Sequence, residues 1–242
     1  MSGYKILLCD IEGTVTSISF VKDELFPYAH QKVSDFLSQN LDRKDVREII
    51  HQLVETAAEE SEKDNNITFV RPDQLVEDIS KHVRYWIDND KKLTALKNLQ
   101  GLMWEEAYKA GEIKGHVYPE VSPYWEKITK EGKKIYIYSS GSVKAQQLLF
   151  QHSADGDLTK YLSGYYDTTT GHKQEAESYR KIAASIGGSP SAILFLTDIE
   201  EEARAAKEAG MQVNLLARSD NSAKLSDAAQ KDFTVIPDLN SL

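Results

Sequence analysis

The stretch KILLCDIEGT, residues 5–14, decides how the rest of the chain is read. Four apolar residues, Ile6 to Cys9, run into an acid, Asp10, and a glycine follows at Gly13. A run this short and without polar alternation suits a strand buried on both faces of a parallel sheet. Two later segments share the design: KIYIYSS (134–140) closes on hydroxyls, and AILFLTD (192–198) closes on an acid. MQVNLLA (211–217) and FTVIP (233–237) add two more expected strands. Between them, Tyr179, Ile182, Ala183 and Ile186 repeat with helical spacing, and an Ala-rich run ends at Gly210. Strand alternating with helix predicts an α/β fold with an open, parallel, Rossmann-like sheet.

The block from 20 to 115 has a different rhythm. Val33, Phe36 and Leu37, then Val46, Ile49, Ile50 and Leu53, then Ile79, Val83 and Trp86, then Leu96, Leu99 and Met103 mark four or five amphipathic helices and no strand. EESEKDNNITFVRPD (59–73) is the expected loop among them. The spacing therefore predicts a core made of 1–19 and 116–242, with a helical cap (20–115) inserted after the first strand.

Bulk properties narrow the function. Hydrophobic residues at 40% and charged ones at 28% are those of an ordinary globular chain. The 38 acidic against 29 basic residues leave a charge of −9, so neither nucleic acid nor an anionic membrane is an expected partner. No apolar run is long enough to cross a bilayer. The single cysteine, Cys9, excludes an internal disulfide, and the six histidines show no zinc spacing. A cytoplasmic location is expected, with the nucleus also open to it, and nothing in the pattern demands more than a monomer.

In open α/β sheets, ligands sit beyond the carboxyl ends of the strands. The residues there are Asp10 with Glu12, Ser139 with Ser140, and Asp198, with Lys173 in the loop GHKQE. Singly, each has a plainer reading: an acid at a strand end caps a turn or helix, and the serines of SSGS cap the helix starting near Val143. Jointly they make a set for phosphoryl transfer, because a carboxylate attacking a phosphoryl group needs that group's charge neutralised. Asp10 is the candidate nucleophile, and Glu12 the candidate acid and base for the leaving oxygen and the water. Ser139 and Ser140 are the candidate phosphate donors and Lys173 the cation. Asp10 and Asp198 are candidate ligands for magnesium, a cation that prefers oxygen.

DIEGT resembles the first motif of the haloacid dehalogenase superfamily, D-x-D-G-[TV], and the later motifs follow in order: KIYIYSS, Lys173, and LFLTD with Glu202. Glu202 stands where that acidic motif usually has a second Asp. DIEGTVTSISFVKDELFPYAHQKV, LKNLQGLMWEEAYKAGEIK, IYIYSSGSVKAQQLLFQHS and GHKQEAESYRKIAASIG are similar, over nearly the full length, to the enolase-phosphatase family of methionine salvage. The resemblance implies enolisation of 2,3-diketo-5-methylthiopentyl-1-phosphate followed by its dephosphorylation. It also implies Glu12 as a third metal ligand beside Asp10 and Asp198, with one Mg2+ per subunit, so the role of Glu12 stays open between ligand and acid/base. Phe20 and Trp104 are expected on the cap's apolar face, over the methylthio tail. The alternatives are another sugar-phosphate phosphatase, phosphomutase or dehalogenase of the superfamily. A serine hydrolase would need a G-x-S-x-G elbow, which SSGS does not supply. A phospho-receiver module would carry no helical insertion of this size.

Overall fold

The computed structural model describes residues 3–221 and 225–242, and the chain forms two compact units. One comprises Met1–Phe20 with Lys114–Leu242, the other Val21–Ile113.

In the first unit, β1 (Ile6–Cys9) is buried along its whole length, as its unbroken apolar run requires. The second unit follows in the chain. A π-helical turn (Phe20–Leu25) enters α1 (Phe26–Asn40), then come α2 (Lys44–Ser61), α3 (Leu75–Asp88) and α4 (Thr94–Ala110). Each helix turns one apolar stripe inward: Val33 and Leu37, Val46 with Ile50 and Leu53, Ile79 with Val83 and Trp86, Leu96 with Leu99 and Met103. The expected loop at 59–73 is shorter than its polar composition suggests, because α2 runs on to Ser61 and Ile67 is buried beneath the connection. Gly111, at φ +73°, closes α4 in the left-handed conformation that glycine tolerates.

The first unit resumes with α5 (Val121–Lys130), β2 (Lys134–Tyr138), α6 (Val143–Gln151), β3 (Leu162–Tyr166), α7 (Ala176–Ile186), β4 (Ile193–Thr197), α8 (Glu200–Glu208), β5 (Gln212–Leu216), α9 (Asp227–Asp232) and β6 (Thr234–Ile236). Among the described residues six strands form one sheet in the order β3-β2-β1-β4-β5-β6, every pair parallel. Five of these strands are the apolar runs expected from the sequence. The sixth, β3, is LSGYY, an edge strand with no fully buried residue and a register irregularity opposite Ile135 and Tyr136. An edge strand needs no continuous apolar run, and this one, with Ser163 and Gly164 inside it, shows none, whereas the other edge strand, β6, keeps its apolar residues.

Strand order reverses at β1: β2 lies on one side and β4 on the other. The crevice at such a switch point is where doubly wound sheets bind ligands. Both neighbours of β1 hold it in register, Cys9 opposite Ile137 and opposite Leu196. The first polar residues after these three strands therefore lie within about one residue of each other along the sheet. Phe20, expected on the cap, belongs instead to this α/β unit, buried with its ring stacked on His116. Trp104 belongs to the helical unit, where its indole donates to the Leu25 carbonyl and stacks on Phe26. Among the described residues no helix is long and apolar enough to cross a membrane.

Candidate active site

Asp10 continues β1 by one residue, its N–H donating to Leu196 O at 2.9 Å. Its side chain is buried, and one oxygen, Oδ1, accepts from Lys173 Nζ at 2.6 Å. Lys173 comes from the loop before α7, and that loop is held where it is: Tyr179 OH donates to the Lys173 carbonyl at 2.6 Å and Tyr138 OH to the Gly171 carbonyl at 2.9 Å. The same ammonium lies 2.8 Å from Glu202 Oε2, which also accepts from Thr197 Oγ1 at 2.8 Å. Lys173 thus bridges two buried carboxylates. Burial opposes its charge, yet Asp10 and Glu202 together hold it above the ordinary lysine value. Burial, and then the charge of Asp10, push Glu202 up to about 7, against the pull of Lys173.

Asp198 follows β4. It is 5% exposed, and Oδ2 accepts from Asn221 Nδ2 at 2.7 Å. Burial first and Asp10 second raise its carboxyl to about 7. Two carboxylates at adjoining strand ends therefore face each other's charge in a desolvated site that holds one ammonium.

At the end of β2, Ser139 is buried, its N–H donating to Tyr166 O and its hydroxyl accepting from Gly141 N at 3.2 Å. Ser140 is exposed. Ser142 caps α6 by accepting from Ala145 N, so the capping reading holds for that serine. Gln146 Nε2 braces the loop from beneath, donating to Gly141 O at 2.8 Å and Tyr166 O at 2.9 Å. Glu12 is exposed, on a turn whose Ile11 carbonyl accepts from Thr14, Val15 and Thr16 N–H groups.

The sequence therefore placed Asp10, Ser139, Lys173 and Asp198 at strand ends and loops that the register brings to one rim. It gave Glu202 only as a motif position, not as a partner of Lys173, because three consecutive glutamates in the first turn of α8 resemble helix-dipole charges. Asn221 and Thr197 went unseen. A polar turn residue and a strand-terminal threonine carry no signal of what they bind.

The donor set fits magnesium. Among the described residues no three His, Cys, Asp or Glu side chains gather into a metal cage, but magnesium is commonly held by one or two carboxylates, with waters and substrate phosphate completing its shell. Asp10 and Asp198 supply two carboxylates, and the upward displacement of Asp198 is what a cation at this rim would relieve.

A profile of haloacid dehalogenase-like hydrolases matches residues 4–210. Enolase-phosphatase E1 of Caenorhabditis elegans is 50% identical over 234 residues, which cover 96% of this chain and 94% of that protein. The chain belongs to the enolase-phosphatase E1 family. A second member, from Anopheles gambiae, is 49% identical over 98% of this chain and 82% of its own length. The crystal structure of the UTR4 protein of Saccharomyces cerevisiae superposes with a TM-score of 0.80 at 35% identity, covering 99% of this chain and 100% of that one. L-2-haloacid dehalogenase of Xanthobacter autotrophicus shares the fold at a TM-score of 0.55 and 14% identity, over 98% of this chain and 96% of its own. The chain is therefore an enzyme, a phosphatase among the haloacid dehalogenase-like hydrolases.

Proposed function

We propose that this enolase-phosphatase acts on 2,3-diketo-5-methylthiopentyl-1-phosphate. It enolises the diketone and then dephosphorylates it to the acireductone 1,2-dihydroxy-3-keto-5-methylthiopentene in methionine salvage. Family membership supports the reaction, and one geometric observation supports the chemistry: Asp10 is buried at the switch point with Oδ1 engaged by Lys173 at 2.6 Å.

That contact leaves Asp10 Oδ2 as the attacking oxygen. As it bonds to phosphorus, the ester P–O bond breaks and the leaving oxygen takes a proton, giving an aspartyl phosphate. Glu12, exposed two residues on, is the proposed donor of that proton and the base for the water that splits the intermediate. Lys173 balances charge on Asp10 and on the phosphoryl oxygens, held on its far side by Glu202. Ser139 and Ser140, with the Gly141 N–H, hold the phosphate. Asp10 and Asp198 would hold a magnesium ion, one per chain, which would supply charge neutralisation and polarise the diketone; in the alternative the family resemblance implies, Glu12 would be its third ligand in place of its acid and base role. The enzyme is proposed to work as a monomer in the cytoplasm.

Incubation with the diketo phosphate and Mg2+ tests the reading. Phosphate release is expected from the wild type, and Asp10→Asn should lower it by about 1,000-fold or more. A wild type inert toward this compound but active on another sugar phosphate would move the substrate elsewhere in the superfamily.

A further inference from the structure

The turn after β5 grips the site at three points. Arg218 opens it, Asn221 closes it, and Asn221 N donates to Arg218 O at 3.1 Å. Arg218 is buried, and two of its guanidinium nitrogens reach one acceptor, the Thr14 carbonyl: Nε at 3.0 Å and Nη2 at 2.6 Å. Nη1 pairs with Glu120, and the guanidinium carbon lies 3.9 Å from the Tyr118 ring centroid. Tyr118 OH in turn donates to both oxygens of Asp220, at 2.8 and 3.0 Å. The strap is thus fastened to the turn that carries Asp10, and Asn221 is delivered to Asp198.

Asp198 Oδ2 is held by one residue and given room by another. Asn221 Nδ2 donates to it at 2.7 Å. A Cβ built on Gly13 would stand 2.2 Å from this oxygen and 3.1 Å from Asn221 Nδ2, so only glycine fits beside it. Gly13, lacking a side chain, leaves the room that Oδ2 fills, Asn221 engages that oxygen, and Oδ1 is the one left to a cation.

We infer that Asn221, carried by the Arg218 strap, is a positioning residue that fixes Asp198 so that it offers a single oxygen, Oδ1, to the bound cation. The inference rests on the reading of Asp198 as a magnesium ligand. An amide suits the task because it donates without adding charge, whereas an unheld carboxylate could swing both oxygens toward the ion or away from it. Partners of this kind, one step behind the ligand, commonly set metal affinity by 10- to 100-fold.

The test is calorimetric titration of Mg2+ alone into the full-length, substrate-free protein. Wild type, Asn221→Ala, Asn221→Ser, Arg218→Lys and Asp198→Ala are compared, with thermal midpoints recorded metal-free. Asn221→Ala is expected to weaken Mg2+ binding by about 10-fold or more with its metal-free midpoint close to wild type. Its phosphatase activity should need correspondingly more Mg2+, yet recover most of kcat at saturation, a split that a merely structural role would not give. Asn221→Ser, too short to reach Oδ2, repeats the effect should alanine disturb the turn. Arg218→Lys keeps the charge opposite Glu120 but loses the two-pronged grip on Thr14, and should weaken binding less. Wild-type Mg2+ affinity in both Asn221 variants, with binding lost in Asp198→Ala, would overturn the inference and leave the metal reading standing. Wild-type affinity in Asp198→Ala would remove the metal reading and the inference with it.

Discussion

At the residue scale, the site is built by making polar groups compete for very few partners. Lys173 is shared between Asp10 and Glu202, and Asp198 is held by Asn221 while feeling the charge of Asp10. Asp10, Lys173 and Asp198 were legible in the sequence because each follows an apolar strand or sits in a short loop near one. Arg218 was not, since its use depends on a carbonyl 204 positions away. Gly13 was legible as a motif glycine, but the reason for it is spatial: φ is +69°, and Asp198 Oδ2 fills the space of its absent side chain. Gly13→Ala should therefore cost about 1 kcal/mol in backbone strain and also push Asp198 off its position. Steady-state kinetics with the diketo phosphate should show kcat falling by roughly tenfold or more, whereas a normal kcat would mean that Asp198 can be displaced freely.

At the element scale, patterns with one buried stripe were readable and an edge strand was not. β1 and β4 announce themselves as continuous apolar runs, and α2 and α3 by their spacing, whereas β3 is half exposed and contains Ser163 and Gly164. The helical unit also carries a buried polar feature that periodicity hides. His82 on α3 is 1% exposed, and its Nε2 accepts from Thr68 N at 3.2 Å, tying the α2–α3 connection to the helix. Burial holds its imidazole below the ordinary value, with Asp78 pulling the other way. The unfolded chain then binds a proton before the folded one does, so this residue's contribution is complete above about pH 6.5 and is lost as pH falls below it. Thermal melts from pH 7.5 to 5.5 should show a decline that is shallower in His82→Gln. Parallel declines in the two proteins would assign the pH dependence elsewhere.

At the scale of the whole molecule, one sheet gathers groups from positions 10, 139, 173, 198, 202 and 221 of the chain, and the cost of gathering them is electrostatic. Asp198 and Glu202 both rise to about 7 from ordinary values near 4. The folded state thus holds protons that the unfolded chain has released, and without metal these groups lower stability as pH climbs from about 4 to about 7. A cation that binds only the folded protein reverses that loss, by about 2.7 kcal/mol at a hundredfold excess over its Kd. Mg2+ should therefore raise the thermal midpoint by roughly 5–10 °C at pH 8, and by less at pH 5, where protons compete for Asp198. An equal shift at both pH values would place the ion away from these carboxylates. Sequence could supply the members of this cluster but not its charge balance, which depends on burial and on which oxygen faces which partner.

The most direct measurement is chemical trapping of the covalent intermediate. The enzyme is quenched during turnover of the diketo phosphate, reduced with borohydride, digested and read by mass spectrometry. An acyl phosphate on Asp10 would be reduced to the alcohol, so homoserine is expected at position 10, only when substrate and Mg2+ are both present. Unmodified aspartate at position 10 during active turnover, or reduction at another carboxylate, would contradict the assignment of Asp10 as the nucleophile.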